Sequence, residues 1–209
     1  QRESPDAQAK LSTVLDMEAW GRFSVFETLA SSRHSSNSHN WRIYYDPWRG
    51  KFLPLVWDPV GWMWDPYQGR SGVVFDIVTS KLHELLFLDA DFLRARNSAF
   101  REFFHSGKDA HFLELVSDTI ELMETEIEAD PFLRPANSKI VAKEMYKLGS
   151  EISSVFDLAK KQWSAYGKPD VNFHFHGSTL DLLVNGNRPI EMIRIIFDKD
   201  LNSHITSEI

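Results

Sequence analysis

Arg33-His-Ser-Ser-Asn-Ser-His-Asn-Trp-Arg-Ile-Tyr-Tyr-Asp-Pro-Trp-Arg-Gly-Lys-Phe-Leu-Pro-Leu-Val-Trp-Asp58 is the stretch that sets the reading of this chain. A polar loop ends in His39 and Asn40 and runs into two aromatic, β-branched segments, 41–46 and 52–57, which read as antiparallel strands. Between them, Trp48-Arg49-Gly50 fits a three-residue hairpin loop with glycine in the left-handed position. The far strand delivers Asp58. In that register Pro47 faces Lys51 and Asn40 lies opposite Asp58, with Cβ atoms roughly 5 Å apart. An amide oxygen and a carboxylate at that spacing suit one hard divalent cation such as Mg²⁺. A slip of one residue would instead bring His39 onto the face of Asp58.

Outward from the hairpin, Asp16 is placed to cap a helix over about 17–31, with Leu15 and Trp20 as a hydrophobic staple and Trp20, Phe23 and Phe26 on its apolar stripe. The Ser- and Asn-rich 31–38 cannot continue that helix. Pro59, Gly61, Pro66 and Gly69 make 59–72 irregular, and 76–166 reads as helical almost throughout. Phe112, Val116, Ile120, Met123 and Ile127 follow an Asp109 cap at helical spacing, and Val141 through Trp163 do the same after Ser138. The two long stripes are expected to pack on each other. After Gly167 the texture changes to strands at 171–176, 179–184 and 190–197, with Asn185-Gly186-Asn187 as a turn. The expected organisation is α+β and helix-rich: residues 1–168 as one lobe, and 169–209 as a small β segment.

Composition narrows the function. With 43% apolar residues among 209, a packed core is expected. A net charge of −7 leaves nothing to offset phosphate repulsion over most of the surface, so no general nucleic-acid partner is expected. No apolar run reaches the roughly 18 residues of a transmembrane helix. The absence of cysteine excludes disulfides and thiolate metal sites. Of seven tryptophans, Trp41, Trp48, Trp57, Trp62 and Trp64 crowd the hairpin, where core and interface packing is the expected use. His174 and His176 alternate onto one strand face but lack a visible third ligand, so they read as surface histidines. The acidic run Glu121 to Asp130 reads as a solvated helix face.

A helix, a polar loop ending in His39-Asn40, a hairpin strand, Gly50-Lys51-Phe52 and then Pro54-Leu-Val-Trp-Asp58 together resemble the spore coat protein H (CotH) kinase family, a group of atypical protein kinases that are secreted or surface-associated. The likeness covers about residues 14–66, and the helices to about 166 are compatible with that family's C-terminal lobe. It implies that Asn40 is the catalytic-loop asparagine and Asp58 the aspartate that holds metal and phosphates. Mg²⁺ or Mn²⁺ with ATP would be the cofactors, and a protein serine or threonine the acceptor. The sequence departs from that pattern in three ways. Ser35 stands where the catalytic aspartate is expected, five residues before Asn40, and a hydroxyl is no base near neutral pH. The positioned-base contribution, roughly 10²–10⁴-fold, is then lost unless His34 replaces it. Restoring Asp at 35 is expected to raise activity. Val60 stands where a second aspartate often follows. No segment resembles the nucleotide-holding N-terminal lobe, so the chain reads as part of something longer. Three functions follow: a transferring kinase, a catalytically degraded pseudokinase kept as a surface or scaffolding module, and a phosphohydrolase using His34, His39 and Asp58.

Overall fold

The computed structural model describes residues 10–35, 40–59, 75–133, 135–165, 170–176 and 179–185. It is α+β, mostly helical, with two small antiparallel hairpins. The chain divides into a unit through Ala165 and a second unit from Tyr166 onward. No helix among the described residues is long and apolar enough to cross a membrane.

The larger unit is organised around one helix. After a single turn, α1 (Leu11–Val14), the chain enters α2 (Met17–Ala30), whose cap is the expected Asp16, accepting from the Ala19 N–H at 3.1 Å. Ten of its fourteen residues are buried, from Met17 and Trp20 to Leu29 and Ala30, and they include Ser24, Glu27 and Thr28. A helix enclosed on nearly every side has no solvent stripe to define, which is why its polar residues fall inside as well. The Leu15–Trp20 staple is present, joined with Leu11, Met17, Leu86 and Phe92 in one apolar cluster.

Four helices follow: α3 (Lys81–Leu86), α4 (Ala90–His105), α5 (Lys108–Ala129) and α6 (Pro135–Ala165). Asp89 caps α4 through the Phe92 N–H at 2.9 Å, and Ser80 caps α3 through the His83 N–H at 3.1 Å. Helix α5 starts at Gly107 rather than at an Asp109 cap. Asp109 sits in the first turn and pairs with Lys160 of α6 at 3.1 Å. Helix α6 starts at Pro135, ahead of Ser138, because proline suits a first turn that has no use for its missing N–H. The two long helices pack on each other as their stripes demand; Gly149 lies against Ile120 and Val116, and Phe112 meets Phe156 at 5.5 Å. Trp163 closes the far end on Phe100 and Phe104, donating its indole N–H to Asn97 Oδ1 at 3.0 Å.

The first hairpin pairs β1 (Ile43–Asp46) with β2 (Lys51–Pro54), Ile43 opposite Pro54 and Asp46 opposite Lys51. This corrects the expected register by one residue. The loop has four residues, Pro47–Gly50, because Asp46 Oδ1 accepts from the N–H groups of Trp48 at 3.0 Å and Arg49 at 3.4 Å, and Gly50 closes it at φ +62°. The ladder is also shorter than expected, ending where the Leu55 N–H donates to Arg42 O at 2.8 Å. The hairpin is tied to the head of α2: Phe52 O accepts from the Asp16 N–H at 3.1 Å and from the Trp20 indole at 3.0 Å. Lys51 Nζ reaches Ser12 O and Thr13 O, and Arg49 pairs with Asp16. Expected packing of the tryptophans holds for Trp41, while Trp48 and Trp57 are exposed. Trp62 and Trp64 lie outside the described residues.

In the second unit, β3 (Asp170–His176) pairs with β4 (Thr179–Asn185), His174 opposite Asp181. The expected turn at 185–187 falls mostly, and the strand at 190–197 wholly, outside the described residues.

Helices α2 and α4 meet most closely at Gly21, where a Cβ would lie 2.6 Å from Arg96 N and 2.8 Å from the Ala95 carbonyl carbon. Backbone cannot retreat as a side-chain tip can. Gly21→Ala is therefore expected to lower unfolding free energy by about 1–3 kcal/mol in urea titrations, despite alanine's better helix propensity.

Candidate functional site

The loop that carries the candidate residues begins at the C-terminus of α2. The Ser32 N–H donates to Glu27 O at 2.8 Å and the Ser31 N–H to Thr28 O at 3.1 Å, with Ser31 left-handed at φ 54°. This is a Schellman ending built on serine where glycine is usual. It turns the chain sharply, so that 32–35 runs back beside the end of the hairpin. Ser32, buried, donates through Oγ to Pro59 O and accepts from the His34 N–H at 3.4 Å. Sequence reasoning did not single out Ser32, and nothing distinguishes it among the serines around it.

His34, Asn40 and Asp58 come together. His34 Nδ1 lies 2.8 Å from the Asp58 backbone oxygen and 3.7 Å from its carboxylate Oδ2. Asn40 Nδ2 lies 2.9 Å from Nδ1 and 3.0 Å from Nε2 of the same ring. A carbonyl oxygen only accepts, so Nδ1 carries the ring proton, and the Asn40 amide nitrogen sits between the two ring nitrogens rather than in line with the Nε2 lone pair. The amide and the carboxylate thus converge on one imidazole rather than facing each other across a ladder. Both residues lie beyond the last ladder bond and both are left-handed, Asn40 at φ 58° and Asp58 at φ 42°. Asn and Asp are the L-residues that take this conformation most readily. Arg42 reaches over the exposed Trp57 ring at 5.4 Å, beside this cluster in sequence.

Ser35 is buried and faces away from these three. Its carbonyl accepts from Thr79 Oγ1, and its hydroxyl bears on the carboxyl of Glu27. Glu27 in turn faces His83 of α3, Nε2 to Oε2 at 3.4 Å, with both side chains buried. Burial pushes the Glu27 carboxyl above the ordinary carboxylate range, while His83 and Ser35 pull it back. Trp41, next to Asn40, rests on the His83 ring at 5.0 Å and on Trp20 at 5.3 Å. Neither Glu27 nor His83 was legible as a site neighbour. The one available signal was a glutamate among apolar positions of a helix.

As to a divalent cation, Asn40 turns Nδ2 to the ring, and the Asp58 carboxylate is more than half exposed. An amide oxygen and a carboxylate are the donor types that Mg²⁺ and Mn²⁺ take. They do not amount to an all-protein cage: among the described residues no three His, Asp or Glu side chains form a metal-holding group. His39 and Val60 lie outside the described residues. Compared with family models, curated proteins and solved structures, the chain matches none.

The left-handed backbone at Asn40 separates its two contributions. Asn40→Gly removes the amide but keeps the conformation free of Cβ strain, whereas Asn40→Ala removes the amide and retains the strain. Thermal or urea unfolding is expected to place the alanine variant about 1 kcal/mol below the glycine variant.

Proposed function

We propose that residues 31–35 and 40–58 form the phosphate- and cation-holding edge of a CotH-kinase-like site, and that this protein binds a divalent metal–nucleotide without positioning a base for transfer. Asn40 and Asp58 would hold Mg²⁺ or Mn²⁺ brought with ATP, and the helical unit through Ala165 would serve as the C-terminal lobe. One observation carries the reading: both candidates for the base are engaged elsewhere. Ser35 is buried against Glu27, and the His34 ring is held between the Asp58 carbonyl, 2.8 Å from Nδ1, and the Asn40 amide, 2.9 Å and 3.0 Å from its two nitrogens. His34 then acts as a strut, setting the amide and the carboxylate at one place. On this reading the protein is a pseudokinase-type binding or scaffolding module, with a secreted or cell-surface setting suggested by the family resemblance alone.

Phosphoryl transfer from ATP to a protein serine or threonine is the second reading, favoured by the 3.7 Å approach of the Asp58 carboxylate to His34. A carboxylate beside an imidazole orients the ring, as a general base requires. Release of the Asn40 amide would be required first.

The test is a thermal-shift titration of the protein with Mn²⁺ and ATP together, and with each alone. Saturation to about 100 times Kd should add about 2.7 kcal/mol of stability for the pair, and Asp58→Ala should abolish the shift. Transfer of labelled γ-phosphate to itself or to a protein acceptor would overturn the binding-only reading. Ser35→Asp is expected not to restore transfer, because the new carboxylate would lie beside buried Glu27. It should lower stability more at pH 8 than at pH 5, as two neighbouring carboxylates cannot both ionise cheaply.

A further inference from the structure

Outside the His34–Asn40–Asp58 cluster, the most exacting polar arrangement is the couple formed by Glu27 and His83. Each is about 1% exposed. The Thr79 N–H donates to His83 Nδ1 at 3.2 Å, which leaves the ring proton of the neutral imidazole on Nε2, aimed at Glu27 Oε2 from 3.4 Å. That separation is long for a hydrogen bond, and neither carboxylate oxygen nor Nε2 has a partner of normal geometry. The other buried ion on the inner side of α2, Arg96 of α4, is already committed to Asp76 at 2.9 Å, Phe75 O at 2.6 Å and Ser24 Oγ at 3.1 Å. From α3 the titratable group facing Glu27 is His83, and from the 31–35 segment the facing group is the Ser35 hydroxyl, which does not titrate.

The couple touches the site loop at two places, each one residue from a site residue. Ser35 follows His34; it meets Glu27 through its hydroxyl and Thr79 through its carbonyl. Trp41 follows Asn40 and lies on the His83 ring. Thr79 joins the two contacts, since it bonds both Ser35 and His83. We propose that Glu27 and His83 are positioning residues that share one exchangeable proton, and that its presence or absence sets how the loop presents His34 and Asn40. With the proton on, the couple is neutral and the Glu27 carboxyl can donate to the Ser35 hydroxyl, holding the loop down. With the proton off, a buried carboxylate must recruit the Ser35 hydroxyl as donor or admit water, and the Ser35 end of the loop shifts.

The sign of the pH dependence follows from burial. A folded-state carboxyl raised above its unfolded value of 4.5 binds its proton more tightly when folded. The stability this contributes is complete below that unfolded value and is lost as pH rises through the folded-state midpoint. Glu27→Gln, uncharged throughout, should therefore gain on wild type as pH rises through that midpoint.

The decisive experiment follows the Glu27 carboxyl by ¹³C NMR in the full chain, together with the backbone amides of Ser35 and Trp41, over a pH titration that starts below the ordinary carboxyl value of 4.5 and runs upward until the folded chain is lost. The expected result is a carboxyl midpoint above the ordinary range, shared by both amides, with those amide transitions absent in Glu27→Gln. An ordinary midpoint, or amides that titrate identically in the variant, overturns the proposal. If the variant does not fold, the shared midpoint in wild type decides alone. A second arm, which rests on the proposed phosphate- and cation-holding role, measures Mn²⁺·ATP affinity across the same pH range. Wild type should change across the Glu27 midpoint by a factor the Gln variant does not show. No Mn²⁺·ATP binding at any pH would sink that role, while the amide arm still judges the couple.

Discussion

Enclosure of α2 is the constraint from which the rest of the larger unit follows. A fourteen-residue helix buried on most of its surface must be approached by neighbours from several directions, and each approach makes its own demand on sequence. Toward α4 the demand is steric, and Gly21 meets it by letting backbone lie against backbone. Toward the hairpin it is a matter of donors: the Asp16 N–H and the Trp20 indole both need an acceptor, and Phe52 O supplies one to each. Toward α3 it is electrostatic, because position 27 faces inward and carries a carboxylate. Fixing the helix fixes the head of the hairpin and the start of the loop. The candidate site is the place where these two held ends meet.

Two buried ions on this helix–helix framework are treated very differently, and the contrast identifies which of them is structural. Arg96 spreads its charge over Asp76, the Phe75 carbonyl and the Ser24 hydroxyl, and its guanidinium lies within about 5 Å of the ring centres of Phe75, Phe87 and Phe100. Every part of that ion is compensated, so it can stay charged at any ordinary pH. Glu27 has a single ionic neighbour at 3.4 Å and no hydrogen bond of normal geometry. Burial penalises such a carboxylate, and His83 and Ser35 offset that only in part, so the Glu27 carboxyl holds its proton more tightly than an ordinary one. Arg96 cements the framework; Glu27 strains it.

The legible parts of this fold were those governed by neighbours in sequence. Asp16 before an apolar run announces a helix start, and a cap is satisfied within three residues whatever happens elsewhere. The long stripes of α5 and α6 declare their period, and the glycine at 50 sits where a hairpin must turn left-handed. The register was not legible, because Pro47 could be read as the partner of Lys51, a place that Asp46 takes. Its carboxylate instead takes two loop N–H groups and lengthens the turn by one. The helix starts shifted for a similar reason: Asp109 had a partner on α6 that its own segment does not reveal. The pairing of Glu27 with His83 was wholly hidden, since it depends on how α3 is laid against α2.

The site itself shows how a local rule and a tertiary contact combine. Asn40 and Asp58 take left-handed backbone on the two chain segments beyond the last ladder bond, outside Ile43 and Pro54. Left alone, the two segments would splay. His34 spans them, donating to the Asp58 carbonyl and meeting the Asn40 amide at both ring nitrogens, and Ser32 ties down Pro59 behind it. A ring with both nitrogens occupied in this way is a good brace and a poor base. The same contacts that gather the Asn40 and Asp58 side chains on one ring therefore engage the group that a proton transfer there would need. On the proposed reading, a site of this construction would hold a metal–phosphate rather than act on it.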